Sequence, residues 1–370
     1  MTAVPALGPL PPGHPPVTVG KIGVLLINLG TPEATSYWPM RRYLKEFLSD
    51  RRVIEVNRAV WWLILNGIIL TTRPRKSGHA YEQIWDKERD ESPLKTITRS
   101  QAEKLAAKLG DSPRVIVDWG MRYGLPPTGE RIKALKEEGC DRILLFPLYP
   151  QYSATTTATA LDKAYDALKD MRWQPAIRTV PPYFDDPAHI EALAISLDRH
   201  LKGLSWTPDL ILASFHGLPQ DYFMDGDPYH CHCMKTARLL AARMGLPRDK
   251  LQVVFQSRFG KAEWLQPYTA PTLEALGKAG TRRVDVICPG FVADCLETLE
   301  EIAIEGKASF LANGGQEYHY IPALNEDHGW LAAFASLVER HLAGWPSKEK
   351  ADADTLAASA RLARTHGAAS

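Results

Sequence analysis

The chain has 370 residues, is 45% hydrophobic and 24% charged, and carries a formal net charge of +1. That length suits two domains, and that charge balance argues against a dedicated nucleic-acid surface. Five cysteines, an odd number with no secretory signal ahead of them, fit reduced thiols in a cytoplasmic compartment.

Residues 1–20 hold six prolines and no Lys or Arg, so a disordered leader is expected there. Residues 21–30 (K-I-G-V-L-L-I-N-L-G) read as a strand. Residues 37–49 have helical spacing, with Met40, Tyr43, Leu44, Phe47 and Leu48 on one face. The run at 59–70 (A-V-W-W-L-I-L-N-G-I-I-L) falls short of the ~20 residues a membrane span needs. Arg51, Arg52 and Arg58 precede it, and Arg73, Arg75 and Lys76 follow. It fits an interfacial segment or a buried core helix, and an apolar lip over about 57–92 around a ligand mouth satisfies both. The polar stretch 79–92 reads as a loop or flap. A helix over 97–109 ends at Gly110. Strands at 115–119, 142–148 and 176–180 then alternate with helices at 128–138 and 158–169, the pattern of a parallel α/β sheet.

The pattern restarts after a helix at 187–201. Strands are expected at 210–215, 252–256, 284–289 and 318–321, and helices at 233–244, 269–279, 294–305 and 327–342. L-L-I-N-L-G-T-P (25–32) and L-A-S-F-H-G-L-P (212–219) form a short internal repeat, an apolar run and then Gly-x-Pro. Two similar Rossmann-like, doubly wound domains, 21–186 and 187–325, facing each other across a cleft would explain it. A closing helix (326–345) and a mobile tail (346–370) complete this division.

Two stretches carry chemistry. His216 ends an apolar strand just before Gly217 and Pro219, where parallel sheets present side chains to ligands. Such a histidine can move protons or bind a metal, and a hydrogen-bonded structural histidine fits equally well. On a helix, Asp294, Glu297, Glu301 and Glu305 form one row, with no Lys or Arg between Val286 and Gly306. An unneutralised row can guide a divalent cation or accept protons, although a solvated face is the commoner explanation. His230-Cys231-His232-Cys233 resembles a zinc site, but its spacing is too tight and no second pair follows. There is no G-x-G-x-x-G or Walker A motif, and Ser214 lacks the G-x-S-x-G context.

N-L-G-T-P (28–32), M-R-Y-G (121–124), L-Y-P-Q-Y-S (148–153), S-F-H-G-L-P (214–219), Q-S-R-F-G (256–260) and P-G-F-x-A-D-C-L-E-T-L-E-E (289–301) together resemble the ferrochelatase family. The resemblance runs collinearly over about residues 20–345. It implies a porphyrin cleft between two Rossmann-like domains, and insertion of Fe²⁺ into protoporphyrin IX at the last step of haem biosynthesis. His216 and Glu297 match the essential histidine and glutamate, with Asp294 and Glu301 extending a set that handles metal or protons. The resemblance assigns porphyrin contacts or cleft lining to Leu29, Arg73, Ser92, Arg122, Tyr123, Tyr149, Trp264 and Phe291, with Arg73 and Ser92 beside a loop longer than usual. Some members carry a [2Fe–2S] cluster. Here Ala154 replaces its first cysteine and residues 296–370 contain none, so no cluster of that pattern, and no resident cofactor, is expected. The implied partners are the porphyrin, Fe²⁺, a membrane surface at the apolar lip, and an upstream oxidase of the pathway. Expected localisation is cytoplasmic, peripheral to the inner membrane face. A chelatase for coproporphyrin, cobalt or nickel, and a non-catalytic haem-binding protein on the same scaffold, are the alternatives.

Overall fold

The computed structural model describes residues 20–349 and 352–365. The expected leader, apart from Gly20, lies outside them. Within the stretch read as a tail, Ala353–Thr365 is a helix with almost all its described side chains exposed.

Two four-stranded parallel sheets form the frame. The first contains β1 (Lys21–Thr31), β2 (Val115–Gly124), β3 (Cys140–Pro147) and β4 (Ala176–Thr179), in the order β2-β1-β3-β4. The second contains β5 (Leu210–His216), β6 (Leu251–Gln256), β7 (Arg283–Ile287) and β8 (Glu317–Ile321), in the order β6-β5-β7-β8. The orders are identical once four is subtracted from each label, so the short sequence repeat is a repeat of topology. β1 and β5 are inner strands covered on both faces, which is why they read as unbroken apolar runs. Val24 and Leu26 of β1 share one buried cluster with Ile211, Ala213 and Phe215 of β5. Trp330, Phe334 and Leu197, from the His328–Leu342 and Pro187–Gly203 helices, fill that cluster. The two sheets are therefore joined by a common core.

Two expectations need correction. The stretch 79–92 is not all loop: a helix runs from Leu70 to Ile84, and only the short turn beyond it is irregular, pinned by the Asp86–Glu91 bridge. Tyr81 packs into the core beside Met40 and Leu44, and that burial carries the helix through a polar sequence. The acidic helix begins not at Asp294 but at about Leu296, and Glu297–Gly306 is π-helical. Its hydrogen bonds run i→i+5, so a row drawn at three- and four-residue spacing does not survive.

Candidate active site

The carboxyl ends of the two sheets open into one cavity of about 910 Å³. Leu29 lies near the end of β1, Tyr149 follows β3, Ser257 follows β6 and Phe291 follows β7, while His216 ends β5. With Trp61 and Trp264 they give it largely apolar walls. Three π-helical segments, Leu65–Ile69, Ala154–Ala158 and Glu297–Gly306, each contribute lining residues. Irregular helix of this kind is found most often at functional sites.

His216 is held in one orientation. Its Nδ1 lies 2.6 Å from the Gly217 carbonyl, which can only accept, so Nδ1 carries a hydrogen and, in the neutral ring, the lone pair falls to Nε2. Position 217 must be small. A Cβ there would sit 2.8 Å from the Gln256 carbonyl and 3.1 Å from the Trp264 ring.

A buried polar chain fixes the carboxylates. Ser214 Oγ donates to Gln256 Oε1 at 2.7 Å, and Gln256 Nε2 donates to the Glu297 carbonyl at 2.7 Å. Ser257, at φ +67°, turns both its amide and its hydroxyl onto Glu301, the amide at 2.6 Å. A left-handed serine is unfavourable by itself and persists only where its surroundings hold it. Here its two hydrogen bonds to a cavity-lining carboxylate do so. Burial pushes the Glu301 carboxyl up, against the Ser257 hydrogen bonds and the charge of His216. Glu300, which the helical row excluded, also lines the cavity. Burial, then repulsion from Glu305, Glu301 and Glu297, pushes its carboxyl up to about 7, with Lys76 opposing. The cavity thus has an acidic wall. Three exposed cations on its lining, Arg73, Arg258 and Lys261, supply the opposite charge. Arg258 and Lys261 were missed although they lie in the run Q-S-R-F-G-K. That run was read as a motif, and the cations in it were given no task.

His216, Glu297, Glu301, Leu29, Arg73, Tyr149, Trp264 and Phe291 therefore converge on the cavity. Four other expected site residues do not line it. Asp294 is buried, accepting hydrogen bonds from Thr298 Oγ at 2.9 Å, Asn325 Nδ2 at 2.7 Å and the Tyr320 hydroxyl. Those donors tie the helix start to the loop after β8. Ser92 is buried as the N-cap of the Pro93–Lys108 helix, where its hydroxyl accepts from the Lys95 amide. Arg122 pairs with Asp50 and donates to Thr159 Oγ at 2.7 Å. Tyr123 is fully buried and donates to the same Asp50 at 2.8 Å. The run His230–Cys233 lies in the Tyr229–Met244 helix, which sends its side chains in different directions. Cys233 is buried, Cys231 is exposed, and His232 stacks on Phe184 at 3.7 Å. No metal site forms from that run.

The fold can be compared with solved structures. SirB from Bacillus subtilis with Fe³⁺ is similar at a TM-score of 0.53, with 11% identity over 87% of this chain and 96% of that one. The duplicated parallel sheets thus share that protein's α/β fold. The ferrochelatase family model matches residues 21–342. The ferrochelatase of Agrobacterium fabrum (strain C58 / ATCC 33970) is 59% identical over 92% of this chain and 98% of its own length. That of Rhizobium meliloti (strain 1021) is 60% identical over 90% and 98%. The chain belongs to the ferrochelatase family, metal-inserting enzymes of haem biosynthesis.

Proposed function

We propose that the chain inserts Fe²⁺ into protoporphyrin IX, with His216 accepting one pyrrole proton at Nε2, and with Glu297, Glu300 and Glu301 handling the incoming ion and taking up the second proton. The free-base macrocycle is flat and apolar, with two carboxylates on one edge and two N–H protons at its centre. Fe²⁺ enters as two protons leave, so the site needs a proton acceptor and a place for a dication. One observation carries the reading. A histidine with a fixed free nitrogen faces the same apolar-walled cavity as three carboxylates, with three cations on the lining. Aromatic and aliphatic walls suit the ring, and Arg73, Arg258 and Lys261 suit its propionates. A cavity shaped for a bent ring would expose nitrogen lone pairs and favour the transition state over the flat substrate.

Val60, Trp62, Leu63 and Ile68 are exposed on the helix that sends Trp61 into the cavity. No helix among the described residues is long and apolar enough to cross a membrane. This exposed apolar group supports peripheral contact with a cytoplasmic membrane face, where an oxidase supplying the porphyrin would hand it over. The reading includes no resident cofactor, because Ala154 and the cysteine-free stretch 296–370 leave no [2Fe–2S] ligands of the family pattern.

The test is anaerobic Fe²⁺ insertion by the H216A variant, followed with porphyrin binding by absorbance. Metallation should be abolished while porphyrin still binds. Turnover near that of the parent would remove His216 from the proton step.

A further inference from the structure

One cluster of metal-ligating side chains lies away from the cavity. His200 stands in the last turn of the Pro187–Gly203 helix, Asp285 on β7 and His319 on β8, directly across from Asp285 in the strand register. Asp285 is completely buried. Among the described residues, its only ion-pair partners are the two imidazoles. His200 Nε2 lies 3.1 Å from one carboxylate oxygen, and His319 Nδ1 lies 3.3 Å from the other. The three donor atoms all fall within 4.8 Å of one another. Trp206 stacks on His319 with ring centroids 5.1 Å apart, which limits that ring's rotation.

We infer that His200, Asp285 and His319 form a second metal site, which takes a divalent transition-metal ion and fastens the helix between the two sheets to the outer part of the second sheet. The donor atoms are already spaced about as far apart as ligands around an ion with bonds of about 2.0–2.2 Å. Two imidazole nitrogens and one carboxylate select borderline ions such as Zn²⁺ or Co²⁺ over Mg²⁺ or Ca²⁺, which prefer all-oxygen sets. His319 is 37% exposed at its side chain and His200 18%, so water can complete the coordination. Among the described residues no arginine or lysine pairs with Asp285: Arg283, two positions before it on the strand, lies over the Trp206 ring instead, and a bound cation would neutralise the carboxylate. Asp285 lies inside β7, two residues before its carboxyl end, and none of the three side chains lines the cavity, so the site is separate from the chemistry.

The test is Zn²⁺ binding to the metal-stripped full chain, by equilibrium dialysis and thermal unfolding, with Co²⁺ absorption reporting the ligand field. The H216A/E297Q variant, which lacks the cavity's histidine and one of its three carboxylates, should still bind one Zn²⁺ at the second site. It should gain roughly 5 °C in Tm at about a hundredfold excess over Kd. H319A and the milder H319Q should lose that ion, that gain and the Co²⁺ spectrum, while still inserting iron. Failure of H216A/E297Q to bind Zn²⁺, or an unchanged ion count in either His319 variant, would overturn the site. It would leave His200, Asp285 and His319 as a hydrogen-bonded trio. Neither outcome bears on the porphyrin reaction, which the H216A assay tests separately.

Discussion

Glu300 offers the sharpest check on the electrostatics of the cavity. Its carboxyl is pushed up to about 7 by burial and by three neighbouring carboxylates. Between pH ~6 and pH ~8 such a group passes from about 10% to about 90% ionised. A dication about 6 Å from the ionised form is attracted by about 1.4 kcal/mol even at the dielectric of water, a tenfold effect on affinity. Glu300→Gln removes the charge and keeps the shape. At pH ~6 the parent is already mostly neutral, so the two proteins should have nearly the same KM for Fe²⁺. At pH ~8 the parent should have the lower KM, by up to about tenfold. The assay is initial-rate metal insertion under anaerobic conditions, with the ion varied at saturating porphyrin. Equal KM values at both pH values would refute the reasoning. So would a change of the same size at both, because a structural defect does not follow the ionised fraction.

Two further outcomes follow from groups outside the cavity. His189 is fully buried, and burial holds its imidazole down at about 4. Its neutral form supports the fold above pH ~6.5, and that support, about 3 kcal/mol, is lost as pH falls from ~6.5 to ~4. Denaturant titrations of H189L should therefore show a flatter loss of stability over that range than the parent. Arg122 and Asp50 are a half-buried pair, and the Tyr123 hydroxyl still donates to Asp50 once the guanidinium is gone, so R122A should cost about 2 kcal/mol in urea unfolding. Porphyrin affinity of the folded R122A fraction should stay unchanged, in contrast to a variant of a residue in the cavity.

The sheets were legible because inner parallel strands must be apolar on both faces, and 21–30 and 210–215 are. His216 was legible because Gly217 and Pro219 mark where its strand ends. The remaining discrepancies have physical causes. Asp294 and Arg122 carry charge in the sequence, but their partners are remote: Tyr320 and Asn325 in one case, Asp50 in the other. No local pattern reveals that a charge is already satisfied. Ser92 is different. Serine followed by Pro93 is a helix-start signature, and the Pro93–Lys108 helix could have been placed from it. Glu300 was lost because a helical row assumes about 3.6 residues per turn, and the π-helix breaks that assumption.

The duplicated topology also explains how nearly equivalent sheets make an unsymmetrical site. The repeat aligns Leu29-Gly30 with His216-Gly217, Leu29 and His216 each standing three residues before a proline (Pro32 and Pro219). Leu29 and His216 both line the cavity, one from each sheet. A flat ring held between the two halves would meet a hydrocarbon side chain on one face and a proton acceptor on the other. The same asymmetry extends outward. Behind His216, Gln256 and Ser257 grip the carboxylate-bearing helix. Beyond Leu29, the cluster with Tyr43, Leu48 and Trp61 is apolar. On the proposed mechanism, two copies of one strand–glycine junction serve as a wall and a base. The carboxylates proposed to handle the metal belong to the same half as His216, so on that proposal a single region would receive the ion and take up the protons it displaces.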